Sequence, residues 1–238
     1  MGFETFTKGM QDANEMLNRN FAAVETQLNG LPIRLFVSVN GSDEFGNGMQ
    51  DKPYRTVRKA IDAIKPYHTD AVIRIGAGDY DEQLFIGYKV SSIALTSETP
   101  ENKAKLKCVT AYDCRSVALN NLRIDGTNLA ADLACVTAFR TNDMQIYNCE
   151  ITGHSAIGGV SANESQVFVR NTSISGCSSA VTTCYNSLLT AYIVAGTDNQ
   201  IGYSAHSSIL NISGLTLQAA TPIVKREGGI IYKDGVQV

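Results

Sequence analysis

VALNNLRIDG at 117–126, MQIYNCEITG at 144–153 and VFVRNTSISG at 167–176 are three copies of one cassette. Each sets two apolar residues two apart, then a turn asparagine, then a second alternating pair and a glycine: Val117, Leu119, Asn121, Leu122, Ile124, Gly126; Met144, Ile146, Asn148, Cys149, Ile151, Gly153; Val167, Val169, Asn171, Thr172, Ile174, Gly176. A blurred copy starts at Leu188 or Leu189, and another runs Leu210, Ile212, Gly214, Leu215, Leu217, Ala219. With an earlier pair, Ile93 and Leu95, and the blurred copy begun at Leu188, successive starts lie 24, 27, 23, 21 and 22 residues apart. Periods of this size predict a solenoid.

Apolar residues two apart mean strands with one buried face, whereas a helical repeat shows three-and-four spacing. The column between the two strand pieces reads Asn121, Asn148, Asn171, a residue near Tyr192, and Gly214. Asn and Gly tolerate a left-handed backbone, and one left-handed residue bends a strand sharply without a loop. A β-branched residue resists that conformation, so Asn148→Val is expected to destabilise the coil. Segments such as Ala156 to Val160, Ala180 to Thr182 and Pro222 to Val224 supply a third short strand. Stacking such coils about 4.8 Å apart, each strand parallel to its counterparts, gives a parallel β-helix. An antiparallel β-sandwich also has many short strands, but it requires no asparagine at a fixed phase.

The 238 residues, 44% apolar and 18% charged, are ordinary for one large folded domain. A net charge of −3 without a Lys/Arg stripe gives no reason to expect nucleic acid. No apolar run reaches the roughly 18 residues of a membrane span, and no signal-peptide core is visible, so synthesis in a cytoplasm and no membrane insertion are expected. Six cysteines, Cys108, Cys114, Cys135, Cys149, Cys177 and Cys184, have neither CxxC pairing nor nearby histidines. Reduced, buried thiols are expected of them, with no metal site and no cofactor.

The first thirty residues differ in kind. Phe3, Phe6, Met10, Ala13, Leu17, Phe21, Val24, Leu28 and Leu31 fall at heptad spacings with one stutter, between polar positions. Two readings fit: a helix packed on its own domain, or a coiled-coil seam of Met10, Ala13, Leu17, Phe21, Val24 and Leu28. The narrow stripe favours the seam. After Asn29, Gly30 and Pro32 come a strand at Leu35 to Val39, a turn-rich loop, and a short helix with Val57, Ile61 and Ile64 on one face. A helix over the open end covers the unpaired strand edges.

In this order, FVSVNGSD, YRTVRKAIDAI and VIRIGAGDYDEQLFI resemble the opening of pectin-lyase-like proteins, over about residues 35 to 224. The resemblance implies an all-β fold: a right-handed parallel β-helix with an N-terminal α-helical coiled-coil segment and a short capping helix. A helical oligomerisation segment leading straight into such a β-helix looks like a bacteriophage tail spike or receptor-binding protein. That resemblance implies a homotrimer, located in the virion tail after synthesis in the host cytoplasm, joined to other phage tail or baseplate proteins through its N-terminal segment. The implied organisation is 1–31 for oligomerisation and virion attachment, 32–226 for the β-helix with its cap, and 227–238 for a capping hairpin around the turn pair Asp234–Gly235.

Glycosidases use two carboxylates roughly 5 to 10 Å apart. Asp125 and Glu150 lie diagonally on neighbouring rungs and are the weak catalytic candidates, although Arg123 directly below Glu150 offers an ordinary ion pair. Asp79, Asp81 and Glu82 sit in a turn where the resembling families use Tyr and Glu structurally. Gly153, His154 and Ser155 look like a polygalacturonase GHG element without its partner aspartates. For binding a host surface saccharide without cleaving it, the outward candidates are Gln145, Tyr147, Arg170 and Arg123; Phe168, Leu189 and Val194 are expected between subunits. A polysaccharide-degrading or deacetylating enzyme and a structural tail adaptor remain the other readings.

Overall fold

Strand alternation broken at regular corners winds this chain into a three-faced coil. The computed structural model describes residues 15–21, 31–89, 91–129, 133–214 and 216–238. The first face stacks Leu31–Val37, His68–Ile75, Ser92–Ser97, Ser116–Asn120, Asp143–Tyr147, the openings of Gln166–Cys184 and Leu188–His206, then Ile209–Ser213 and Ile230–Lys233, all in parallel. The second face is built of short pieces, Lys105–Leu106 and Arg123–Asp125, continued by the long strands Glu150–Asn163, Gln166–Cys184, Leu188–His206 and Thr216–Arg226. The third holds Gln83–Gly87, Cys108–Tyr112, Val136–Phe139 and the closing segments of those long strands. The third strand spans 158–163, 179–184 and 221–226, which takes in Ala180 to Thr182 and Pro222 to Val224 and overlaps the end of Ala156 to Val160. The winding is right-handed, the hand that parallel crossovers almost always take.

Inward positions line up rung over rung. Ala71, Ile93, Val117, Met144, Val167, Leu189, Leu210 and Ile231 form one column through successive pairings, and all are buried. Each Val, Leu, Ile or Met of the column stabilises the stack by roughly 1.5–3 kcal/mol. The ambiguous fourth cassette is thereby settled: it begins at Leu189, and Leu188 points outward. Leu189 and Val194 are both fully buried in the bore, so neither lies on a subunit interface. All six cysteines are free thiols, and Cys184 alone of them is not fully buried.

Between the first and second faces Asn121, Asn148, Asn171 and Gly214 take φ of 55°, 54°, 48° and 62°, as the cassette predicts. The remaining member is Ile193, at 50°, not Tyr192, and it breaks the expectation that a β-branched residue is kept out of this corner. A β-carbon placed on Gly214 would come within 3.3 Å of the Ile193 Cγ1, so the isoleucine side chain reaches up against the next rung, yet it remains 45% exposed. Ile193→Asn should therefore raise stability by about 1 kcal/mol, because asparagine tolerates the left-handed backbone. A denaturant midpoint that falls would show that the contact over Gly214 outweighs the backbone cost.

A second corner, between the third face and the next coil, carries no asparagine repeat. Tyr88, Asp113, Arg140, Glu164, Tyr185, Ser207 and Glu227 all have φ between 38° and 56° there. Behind it runs a buried column of Thr141, Ser165, Ser187 and Ser208. The Thr141 amide donates to Ser165 Oγ at 3.0 Å and the Ser165 amide to Ser187 Oγ at 3.2 Å, so these hydroxyls satisfy amides that the bend removes from the ladder.

The cap helix spans Val57–Ala63, with Val57, Ala60 and Ile61 buried over the first coil. Thr56 caps it, accepting from the Lys59 amide at 3.2 Å, and Glu82 takes the Val57 and Arg58 amides at 2.8 and 2.9 Å. Glu82 is thus structural. Residues 15–21 are helical, but the seam residues Leu17 and Phe21 are exposed while off-seam Met16 is buried. Met10, Ala13, Val24 and Leu28 lie outside the described residues, and the coiled coil has no support among those described. At the other end Ile230–Lys233 and Val236–Gln237 form an antiparallel hairpin about Asp234 and Gly235. Thr216–Arg226 is left as an outer strand, which is where Pro222, lacking an N–H, can be accommodated.

Candidate saccharide groove

Because side chains alternate, every second residue of the first face points to solvent and stacks on its counterpart. In the upper coils one outward column reads Gln145, Phe168, Thr190, Asn211, Tyr232, and its neighbour reads Tyr147, Arg170, Tyr192, Ser213. The Tyr147 and Phe168 rings lie 5.8 Å apart at 57°, and the Arg170 guanidinium sits 5.4 Å from the Tyr192 ring centroid. Gln145 is oriented by a 2.9 Å bond from its amide to Asp143, which also accepts from Ser116 Oγ at 3.1 Å. The columns lead into a depression of about 370 Å³ lined by Thr190, Asn211, Ser213, Tyr232 and the hairpin turn Asp234–Gly235. Rings to cover apolar sugar faces and planar amide or guanidinium groups to bond hydroxyls make this surface suited to a saccharide.

Gln145, Tyr147 and Arg170 were selected from sequence, and the structure brings them together on one face. Phe168 is outward beside them. Arg123 belongs to the second face, away from this surface. Tyr192, Asn211 and Tyr232 were missed. Their signal was present as outward positions of the fourth and fifth cassettes, but the uncertain register at Leu188 hid Tyr192, and Tyr232 falls in the terminal hairpin.

The carboxylate candidates are arranged differently from the sequence expectation. Glu150 is in register with Arg123, yet its ion pair, at 2.8 Å, is with Lys103 from the loop before Lys105–Leu106, two rungs below. Lys105 lies 2.6 Å from Asp79 and 3.9 Å from Asp125, and Lys107 lies 3.1 Å from Asp81. For Asp125, burial pulls the pKa up, but the Thr127 hydroxyl and amide, Lys105 and Arg123 together hold it below the usual value. A glycosidase acid needs the opposite displacement. Tyr80 bonds the Gly76 carbonyl at 2.9 Å, and burial pushes its pKa up to about 12. His154 pairs through its backbone with Cys177, and its side chain lies outside the described residues. No grouping of three or more His, Cys, Asp or Glu side chains able to hold a metal occurs among the described residues.

A second aromatic group decorates the third face. Tyr112 and Phe139 stack at 5.0 Å and 1°, Phe85 lies 6.0 Å from Tyr112 in the space left by Gly87, and Tyr88 meets Tyr112 edge-on at 5.4 Å. Arg140 lies 4.7 and 4.9 Å from the Tyr112 and Phe139 centroids. Tyr112 and Phe139 cover one another while Phe85 and Tyr88 stay 45% and 70% exposed, and the stack reads first as a brace across three coils.

No family profile and no curated protein matches the chain. Among solved structures, the Escherichia coli protein YbhC is 14% identical over 85% of this chain and 72% of its own, with a TM-score of 0.56. Carrot pectin methylesterase is 12% identical over 84% of this chain and 83% of its own, with a TM-score of 0.51. At these identities the likeness is one of fold: a right-handed parallel β-helix.

Proposed function

We propose that this protein holds a polysaccharide in the first-face groove between Gln145 and Tyr232 and releases it uncut. The observation that carries the reading is the paired outward columns, in which Tyr147, Phe168, Tyr192 and Tyr232 alternate with Gln145, Arg170 and Asn211. The ion pairs that tie up Asp79, Asp81, Asp125 and Glu150 support binding over hydrolysis. The biological setting we propose is a bacteriophage tail spike, a homotrimer attached to the virion by its N-terminal segment and presenting this groove to a host surface glycan. That setting rests on the resemblance of the helical segment, cap and β-helix in their order along the chain.

A polysaccharide-modifying enzyme is the second reading, favoured by the architecture shared with carrot pectin methylesterase. A screen of the purified protein against host cell-wall polysaccharides, scoring retention together with release of reducing ends, methanol or acetate, separates the two. Retention without product is expected. Product formation would establish the enzyme, and neither retention nor product would leave a structural tail adaptor.

A further inference from the structure

The second corner is built from residues that fit it poorly, and two of them line a pocket. Asp113 and Arg140 hold φ of 50° and 46°, the backbone shared by the other residues of that corner, and what sets them apart is the pocket between them. The pocket between these corners is lined by Lys89, Asp113, Cys114, Arg115, Arg140 and Asn142. Arg140 is fixed in place: its Nε and Nη2 bond the Asp113 carboxylate at 2.7 and 2.9 Å, Nη2 also meets the Tyr112 hydroxyl, and its plane lies against two rings. Lys89 is tethered through long bonds of 3.4 and 3.3 Å to the Ile61 and Ile64 carbonyls at the end of the cap helix. The Cys114 thiol turns away to the Ile86 carbonyl at 3.1 Å and brings no charge. Within the lining three cations stand against one carboxylate, while Glu164, on the next rung of the corner, also acts on Arg140 from outside the lining.

We infer that this corner pocket binds a doubly charged tetrahedral oxyanion of the phosphate type, either as the free ion or as a phosphomonoester on a larger ligand. The lining cations outnumber the lining carboxylate, Glu164 offsets part of that surplus, and a dianion with three acceptor oxygens gains more from what is left than a monoanionic carboxylate does. The pocket is separate from the Gln145–Tyr232 groove, so its failure leaves that assignment untouched.

Calorimetric titration of the full chain with inorganic phosphate at matched ionic strength tests the inference. Saturable binding is expected, weakened about tenfold in Arg115→Gln and unchanged in Lys225→Gln at the far end of the coil. A flat titration overturns the inference, and so does an Arg115→Gln protein that binds as well as the parent. Parallel titrations with glucose 6-phosphate and galacturonate identify the source. Tighter binding of the sugar phosphate than of phosphate assigns a phosphorylated glycan, and equal or weaker binding assigns the free ion. Galacturonate held as tightly as phosphate overturns the charge match.

Discussion

Gly196→Ala is expected to lower the stability of the coil by about 4 kcal/mol or more, enough to take the melting temperature down by about 10 °C. Gly196 has φ +140°, a conformation in which a side chain is strained at the outset. A β-carbon there would lie 1.8 Å from the Ile174 carbonyl oxygen and 2.6 Å from its carbon. Backbone one rung below cannot yield without breaking the ladder between Ser173 and Ala195 beside it. Gly228→Ala is the control: its φ is +76°, but nothing lies within 4 Å of the added carbon, so only the left-handed backbone cost of about 1 kcal/mol applies. Thermal unfolding of the two variants should separate them clearly, and equal melting temperatures would show that the coils near Gly196 pack more loosely than described.

The second large effect is expected at Asn199, a buried amide that ties three coils together. Its Oδ1 accepts the Cys177 amide at 3.1 Å, and its Nδ2 donates to the Ile174 carbonyl at 2.9 Å and the Gln218 carbonyl at 3.4 Å. Each of these groups sits where the ladder is interrupted, so alanine leaves buried polar atoms without partners. About 3 kcal/mol is expected from Asn199→Ala, because an orphaned buried group costs roughly 1–3 kcal/mol. The chemical denaturation midpoint measures it. A loss below about 1 kcal/mol would mean that water enters the bore and replaces the amide.

The first corner was legible because its chemistry is uniform: Asn121, Asn148 and Asn171 recur at one phase, and only glycine and asparagine favour that backbone. The second corner was invisible because its left-handed positions hold Tyr, Asp, Arg, Glu and Ser, side chains with no shared signature. Its readable trace is the small hydroxyl residue just behind it, Thr141, Ser165, Ser187 and Ser208, two or three residues ahead of the next cassette. Alternation fixed which residues face outward wherever the register was secure, and so Gln145, Tyr147 and Arg170 were found together. Where two apolar residues stood side by side, at Leu188 and Leu189, alternation could not choose, and the error placed a core residue on a surface. The Glu150 partner was missed for a different reason. Lys103 reaches it from a loop, and strand periodicity says nothing about where a loop side chain ends.

The outward columns of the first face are proposed to hold a polysaccharide. The most direct measurement is retention of host cell-wall polysaccharide on immobilised protein, comparing the parent with a Tyr147→Ala/Tyr192→Ala double variant of unchanged melting temperature. A ring that covers an apolar sugar face removes that area from water at roughly 25 cal/mol per Å², so the paired loss is expected to weaken retention about tenfold or more. A folded double variant that retains the polysaccharide as strongly as the parent would contradict the account.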